Sequence, residues 1–355
     1  MIRSSFVLFS LLSVISSFLA VNTIAHAHEI YVLSPESFSR TFTDQTYSLL
    51  SPLANPGHRQ FLFSISALIF FIILLYTLFS YSQFARRCGA WLEGFSWIGY
   101  PVLRITFGCI LLYSALTSSF PGPELPLSSL SSGVSTIRIL LLLSGLLLTI
   151  GLASELAAGI AVALFVSQLF LIGPYLLTYS HYLALALVFF FFGSRHFSID
   201  GILFSSPRRF RHLHELLIPI LRFSFGFSLL FTAISIKILH PAIPLAVVEQ
   251  YHLTQFHYLF PNDAGLIVLG ATLAEITIAL FIMFGFQLRL SLFVLFFYNT
   301  LSLWYFGEVE WPHYGIYAFI IAFFVFPPLA SLDAYLPKTF LAWRSRRIAD
   351  APVTP

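Results

Sequence analysis

The side chain best suited to chemistry in this sequence is that of Glu275, which stands inside a continuous apolar stretch from Leu266 to Met283. No lysine or arginine lies within one helical turn of it. A carboxylate at bilayer depth is costly unless it is paired or protonated. We therefore expect Glu275 to face the interior of a helix bundle and to be uncharged at neutral pH, either as a functional group or as a carboxyl satisfied by a neighbouring helix. His313, which opens the last apolar stretch, and Arg222 complete a candidate intramembrane polar site.

Histidines and further acidic residues lie outside the apolar stretches or at their ends. Imidazole and carboxylate groups together can bind a transition metal, and an amino-terminal histidine would add an amine that suits copper. No pair among them has the i, i+4 spacing of a helical metal site. The alternative is that they are interfacial side chains with a polar tip. The candidate metal ligands are His28, His240, His252, His257, Glu308 and Glu310.

Two arginines occur in the same sequence context. Arg104 and Arg222 each follow Pro-x-Leu near the start of an apolar stretch. Such a side chain can extend to the lipid headgroups, and we expect this of Lys237 at the end of another stretch. For the arginines, the recurrence favours a structural partner. A carboxylate such as Asp200 or Asp333 is the expected one, which would fasten the end of each bundle.

The elements that position these residues occur twice in the chain. The segment that begins Pro101-Val102-Leu103-Arg104 returns as Pro219-Ile220-Leu221-Arg222, at an offset of 118 residues. The copies end on similar triplets, Ser198-Ile199-Asp200 and Ser331-Leu332-Asp333. A tandem duplication explains this shared order.

The two copies have diverged. The offset grows from 118 to 134 at Gly151 and Gly285, which indicates 16 additional residues in the second copy, within the loop at 239–262. Leu141 stands at the position that corresponds to Glu275. The second copy is therefore the one expected to carry chemistry.

Composition indicates that lipid solvates this chain. Hydrophobic residues make up 58% and charged residues 9%, whereas soluble domains carry about 25% charged residues. This composition does not indicate binding to nucleic acid. Continuous apolar stretches of this length form helices in lipid. About nine spans are expected, near 60–82, 100–119, 135–153, 156–176, 178–194, 215–238, 263–285, 288–306 and 313–330.

Targeting and orientation follow from charged residues near the apolar stretches. Arg3, the apolar run that follows it and Ala25-His26-Ala27 predict a cleavable signal peptide, with an uncleaved first helix as the alternative. Basic residues such as Arg86 and Arg208 concentrate in alternate loops. This predicts an inner (plasma) membrane protein with its amino terminus outside and its carboxyl terminus in the cytoplasm.

The expected fold class is an all-α polytopic membrane protein with two parallel four-helix bundles. The expected organisation is a signal peptide (1–27), an exported polar segment (28–59), a lead membrane helix with a cytoplasmic loop (60–99), a first repeat (100–204), a second repeat (205–337) and a cytoplasmic tail (338–355).

A four-helix unit that opens with Leu-Arg-x-x-x-Gly and, in its second copy, closes with Ser-Leu-Asp-x-x-Leu resembles the DoxX family of small bacterial and archaeal membrane proteins. The unit appears twice, at 100–203 and 219–336, and covers about two thirds of the chain. The first copy departs from the pattern because it lacks the intramembrane glutamate. The resemblance implies a four-helix bundle in each copy, and some members of the family are linked to quinone-coupled sulfur oxidation or act beside redox partners.

This resemblance implies an accessory or non-catalytic component of a quinone-linked membrane redox system. A lipid-accessible pocket around Glu275, quinone as ligand, and a redox protein as partner beside the lipid bilayer are then expected. Whether the chain is itself an enzyme stays open. The residues also allow an alternative, a transporter or a metal- or proton-handling protein that uses Glu275 and the histidines of the outer face.

Overall fold

The computed structural model describes residues 33, 41, 47–130, 133–193, 196–203, 214–256, 262–307 and 311–335. Every regular element in these residues is helical, and no β-strand forms among them beyond an isolated bridge between Ser119 and Pro126. The predicted all-α fold class is confirmed for this part of the chain. The predicted signal peptide (1–27) and cytoplasmic tail (338–355) lie outside the described residues.

The described residues form eleven main helices. They are α1 Pro56–Ser80, α2 Gln83–Glu93, α3 Ser96–Thr117, α4 Val134–Ile150, α5 Ser154–Ile172, α6 Ser180–Phe192, α7 His214–Thr232, α8 Ala242–Gln250, α9 Ala264–Phe284, α10 Leu288–Phe306 and α11 Pro312–Val325. α7 continues into a π-helical turn, Ala233–Ile238. Short helical turns lie at Ser51–Ala54, Leu127–Leu130, Gly173–Tyr179, Ile199–Leu203 and Leu253–Gln255.

Six helical stretches in the described part of the chain are long and apolar enough to cross a membrane, which is consistent with an integral, multi-pass membrane protein. They are α1, α3, α7 with its π-helical turn, α9, α10, and the joined stretch of α5 and α6. A helix forms at each predicted span. However, α4, α6 and α11 have 17, 13 and 14 residues, fewer than the ~20 of a typical span. The count of crossings therefore stays a prediction.

The last helix is shorter than its predicted span. α11 ends at Val325, and Phe326 is extended with φ −69° and ψ 146°. Phe326 precedes Pro327 and Pro328, and a residue before proline is disfavoured in the helical region. The proline pair therefore ends α11 earlier than the apolar composition suggests.

Glycine lets helices within each half approach closely. α3 packs along α4, and α7 packs along α9. A methyl group added at Gly108 would lie 2.8 Å from the carbonyl oxygen of Gly145, and one added at Gly226 would lie 2.7 Å from that of Ala279. Both distances are too short for a carbon atom, so these close approaches require glycine.

The two halves also pack on each other in a reciprocal way. α3 packs against α11, the last helix of the second half, and α7 packs against α6, the last helix of the first half. Phe107, Phe225 and Phe319 belong to one continuous buried core. Tyr182 on α6 donates a 3.0 Å hydrogen bond to the carbonyl oxygen of Pro312 at the start of α11. The core is therefore shared between the halves.

Arg104 and Arg222 are buried and bind backbone carbonyl groups at the end of their own half. Arg104 donates to Phe197 at 2.6 Å, and Arg222 donates to Leu329 at 2.9 Å and Ala330 at 2.7 Å. Among the described residues, no ion pair within 4.0 Å joins either arginine to an aspartate. The expected direct pairing is therefore wrong, because carbonyl groups in these turns, which have no helical partner, accept from the guanidinium groups.

Asp200 and Asp333 cap helices instead. Asp200 accepts hydrogen bonds from two backbone N–H groups at the start of α5, both at 2.8 Å, and Asp333 accepts from two at the start of α10, at 2.7 and 2.9 Å. Burial raises the pKa of Asp333 above its usual value, although these backbone donors and Arg222 oppose the rise. Each capped helix follows a left-handed glycine, Gly151 (φ 70°) or Gly285 (φ 62°). The same arrangement therefore occurs in both halves.

Candidate functional site

A cavity of about 240 Å³ lies at the end of the bundle where α7 ends and where α6 and α11 begin. α9 and α10 form its side wall, and α8 covers it with Pro244, Val247 and Val248. The lining is mostly apolar, with a limited number of polar groups. The polar side chains of the wall include His181, Ser228, Lys237, Glu275, Tyr298, Asn299 and His313.

Glu275 has two polar partners in this wall. The Nζ atom of Lys237 forms an ion pair with its Oε1 atom, and the hydroxyl of Tyr298 donates to the same oxygen at 2.5 Å. The lysine side chain is 13% exposed and the glutamate side chain 21%. The ion pair is therefore largely enclosed by the bundle, in contact with the cavity, whereas Tyr298 is 39% exposed.

The sequence has no basic residue within one helical turn of Glu275, and Lys237, which the sequence predicts to extend to the headgroups, instead forms an ion pair with this carboxylate. The uncharged state expected for Glu275 stays a prediction. Lys237 and Glu275 are 38 positions apart, and the packing of α7 against α9 brings them together. Lys237 lies in the π-helical turn at the end of α7; such turns are frequent at functional sites. An ammonium group beside the carboxylate offsets the cost of a charge at this depth.

His181 is held at the start of α6 by a serine of the second half. Its Nδ1 atom lies 2.7 Å from the hydroxyl oxygen of Ser228, and that hydroxyl donates to the carbonyl oxygen of Thr178. Phe225 and Phe319 pack edge-on against the imidazole, with ring centroids 5.9 and 5.4 Å away. The Nε2 atom is buried and has no hydrogen-bond partner among the described residues.

A second unsatisfied polar atom belongs to Asn299 on α10, which is 7% exposed and whose Nδ2 atom has no partner in the described part of the chain. Folded proteins seldom leave buried polar atoms unpaired, and the described part of this chain has further such atoms on residues that do not line the cavity, among them Gln168 Nε2 and Trp311 Nε1. Asn299 and His181 both line the cavity, so a molecule bound there could satisfy both atoms. The site is chemically suited to a small, mostly apolar ligand that carries polar atoms at its edge.

In the corresponding region of the first half, apolar side chains replace the charged cluster, and the buried polar residues there are Ser114, Ser144 and Gln168. Leu141, Leu164 and Phe165 are buried in its core, and Phe165 packs edge-on against Phe120 with ring centroids 4.7 Å apart. The matched positions are Ile110 for Ser228, Leu141 for Glu275, Leu164 for Tyr298 and Phe165 for Asn299. The cluster of Lys237, Glu275 and Tyr298 is thus specific to the second half, although His181 of the first half completes the cavity wall.

Of the three residues predicted to form the intramembrane polar site, two lie at the cavity and one does not. Glu275 and His313 line the cavity, and His313 is buried. Arg222 lies away from the cavity, near the start of α7, where it binds the end of the second half. A buried guanidinium needs several acceptors, and in this bundle the turn after α11 provides them.

The candidate metal ligands do not converge in the described residues. His240 donates from Nδ1 to the carbonyl oxygen of Ser235 at 3.0 Å, and His252 is exposed in a left-handed conformation (φ 51°). Neither lines the cavity. In the described ranges, no group of three or more His, Cys, Asp or Glu could hold a metal, and the metal site stays a prediction. The remaining candidates, His28, His257, Glu308 and Glu310, lie outside the described residues.

Polar residues of α7 and α10 are the part of the site that sequence reasoning missed. Ser228 and Thr232 stand four residues apart on α7, and Tyr298 and Ser302 stand four apart on α10, next to Asn299. In otherwise apolar helices, such spacing places polar groups on one face. That spacing is the signal that could have identified these helix faces as the cavity wall.

Comparison with known proteins gives no match: the chain is similar to no protein-family model, to no curated protein and to no solved structure. Its function has to be argued from the chemistry of the cavity, since a helical bundle alone does not determine an activity.

Proposed function

We propose that this chain is an integral membrane protein that binds a quinone-type molecule in the cavity, as an accessory component of a quinone-linked redox system. The supporting observation is a mostly apolar cavity whose wall holds two buried polar atoms, Asn299 Nδ2 and His181 Nε2, that have no partner among the described residues. A quinone-type molecule is a flat apolar ring with oxygen atoms at opposite ends, which are carbonyl oxygens in the quinone and hydroxyl groups in the quinol, so it presents polar atoms to such a wall. A redox protein partner would complete electron transfer, as the DoxX resemblance implies.

The size of the cavity supports a single-ring ligand. Its volume of about 240 Å³ is below the ~300–1,000 Å³ of pockets for drug-sized molecules. Leu229, Ile267 and Leu295 provide apolar surface for the faces of a ring. The amide of Asn299 provides a donor for one ring oxygen.

We also propose that the chain is a tandem duplication of a DoxX-like unit, in which the second copy acquired the site. The recurring hydrogen bonds support this. In each half, the arginine (Arg104 or Arg222) donates to a backbone carbonyl group at the end of that half, and the aspartate (Asp200 or Asp333) caps α5 or α10. The backbone N–H of each aspartate also donates to the carbonyl oxygen of the left-handed glycine that precedes the capped helix. Unrelated segments would have no reason to share these contacts.

We propose an inner-membrane location with the amino terminus outside, the carboxyl terminus in the cytoplasm and the cavity near the outer face. The alternation of basic loops supports this orientation. Removal of the signal peptide would make His28 the first residue. An intact mass that begins at His28 is the expected result, and a mass that retains residues 1–27 would contradict the cleavage.

Binding of duroquinone to the purified full-length protein in lipid nanodiscs tests the ligand. Asn299→Leu should weaken binding about tenfold, since one hydrogen bond to a buried donor contributes ~1.4 kcal/mol. Thr277→Val is the matched control, because this exposed hydroxyl on α9 donates to the carbonyl oxygen of Leu273 in its own helix and does not line the cavity. Absence of saturable binding, or equal losses in both variants, would refute the proposal.

The second candidate function is transport of a proton or cation. The observation that favours it is the ion pair of Lys237 and Glu275 at the cavity wall, because charged groups at membrane depth often mark ion pathways. Reconstitution of the purified chain in liposomes separates the two functions. Flux of protons or cations by the chain alone favours transport, and quinone binding without flux favours the redox role.

A further inference from the structure

The hydrogen bonds around His181 determine which ring nitrogen carries its proton. A carbonyl oxygen can only accept, so the hydroxyl of Ser228 uses its one proton on Thr178. The oxygen of Ser228 therefore accepts from Nδ1–H of His181, 2.7 Å away. In a neutral imidazole the other nitrogen, Nε2, is then unprotonated and is a hydrogen-bond acceptor.

This acceptor has no protein donor in the described residues. The imidazole is 6% exposed, belongs to the cavity wall and is packed between aromatic rings, and its Nε2 atom is buried without a partner. A buried acceptor of this kind needs a donor, and because His181 lines the cavity, a molecule bound there can supply it. The Nδ2–H group of Asn299, in contrast, is a donor that needs an acceptor.

We infer that the cavity binds the reduced, hydroxyl-bearing form of its ligand, a quinol, in preference to the quinone; this rests on the proposed function. One quinol hydroxyl donates to Nε2 of His181, and the other oxygen accepts from Asn299. A quinone oxygen has only lone pairs to offer, so it meets Nε2 without a hydrogen bond. In the opposite histidine tautomer the Ser228 hydroxyl would have to donate to Nδ1. The carbonyl oxygen of Thr178 would then lose this hydrogen bond in the interior.

The serine that controls this tautomer acts across the two halves. Ser228 is on α7 of the second half, and His181 begins α6 of the first half. The position on α3 that corresponds to Ser228 is Ile110. The preference for one redox form therefore depends on the contact of Ser228 on α7 with His181 on α6. The reciprocal contact from α3 cannot form, because Ile110 has no hydroxyl group.

Anaerobic binding titrations of the full-length protein in nanodiscs with duroquinol and duroquinone test this inference. The wild type should bind duroquinol about tenfold more tightly, which corresponds to ~1.4 kcal/mol. His181→Phe keeps an aromatic ring and removes the acceptor, so duroquinol should lose its advantage and bind no better than duroquinone. His196→Phe, at an exposed histidine outside the cavity, should keep the wild-type preference.

Ser228→Ala provides a second test that does not alter the imidazole. It frees His181 to carry its proton on Nε2, so the affinity for duroquinone should rise and the preference should shrink. ¹⁵N NMR of the wild type should show the Nδ1–H tautomer. Equal affinities in the wild type, or a preference for duroquinone, would overturn the inference and leave the proposed function standing. Failure of both probes to bind would overturn the proposed function itself.

Discussion

Lys237 and Glu275 form an ion pair inside an apolar bundle, and Tyr298 donates to the same carboxylate oxygen. Such a pair gains little over two apolar residues, but removal of one partner leaves an uncompensated charge. This asymmetry distinguishes it from Arg289 and Glu93, whose side chains are 28% and 37% exposed. The two pairs allow a matched comparison within one chain.

Lys237→Met should lower the free energy of unfolding by about 3 kcal/mol. This is the low end of the range for the loss of one partner of a buried ion pair, because both side chains retain some exposure. Lys237→Met combined with Glu275→Gln should cost less than the sum of the single changes. Thermal unfolding in detergent, as a double-mutant cycle, measures this coupling. Additive losses would show that the pair contributes no coupling energy.

The control for this cycle is the more exposed pair. Glu93→Gln should change stability by no more than about 1 kcal/mol. A loss as large as that of Lys237→Met would mean that the burial of the pair is not what determines its effect.

The aspartates that end each half serve as helix caps. Asp200→Asn and Asp333→Asn each retain the shape of the side chain but lose one carboxylate acceptor and the negative charge at a helix amino terminus. Each should cost about 1–2 kcal/mol of stability, measured by thermal unfolding. Because the two caps have the same geometry, a large loss for one and none for the other would contradict their equivalence.

At the scale of helices, close approach depends on glycine at particular positions. Gly108 faces the backbone of Gly145 across the contact of α3 and α4. Gly270 on α9 has no atom within 4 Å of an added methyl group. These two residues differ in packing and share the same intrinsic effect on helix propensity.

Gly108→Ala should therefore destabilise the protein by about 1–3 kcal/mol, because the helices must separate to admit a methyl group. Gly270→Ala should raise stability by about 0.5–1 kcal/mol, since alanine favours the helix where space is open. Thermal unfolding of both variants beside the wild type tests this. A gain for Gly108→Ala would contradict the described contact of α3 and α4.

At the scale of the whole molecule, the halves share one core through the contacts of α3 with α11 and of α7 with α6. The cavity lies where this sharing brings the start of α6 beside α7 and α9. Both copies therefore contribute to a site whose charged residues belong to the second. Its position relative to the membrane faces depends on the proposed topology.

Cys88 is exposed on α2, in the segment proposed to face the cytoplasm. In a Cys109→Ser background, a membrane-impermeant maleimide should label Cys88 in inverted vesicles and leave intact spheroplasts unlabelled. Bacterial alkaline phosphatase fused after Pro355 should be inactive, because that enzyme reaches its active form only in the exported compartment. Labelling from outside, or an active fusion, would reverse the topology.

The sequence by itself determined the helical class and the approximate position of the main apolar helices, because these depend on local composition in a lipid solvent. It also identified Glu275 as exceptional and showed that the arginines and aspartates recur. The sequence did not reveal helices α2 and α8, which lie in segments predicted to be loops. These helices contain no span-length apolar stretch, so hydropathy does not reveal them.

Tertiary structure alone decided which side chains meet. Lys237 and Glu275 are 38 residues apart, and His181 and Ser228 are 47 apart. Their contacts depend on the rotation and the close packing of helices, which an apolar pattern leaves undetermined because almost every face is apolar. For the same reason the sequence did not predict that the arginines bind carbonyl groups in turns. It also did not predict the cavity, whose wall has two polar atoms without a partner among the described residues, because the cavity forms only where the helices pack together.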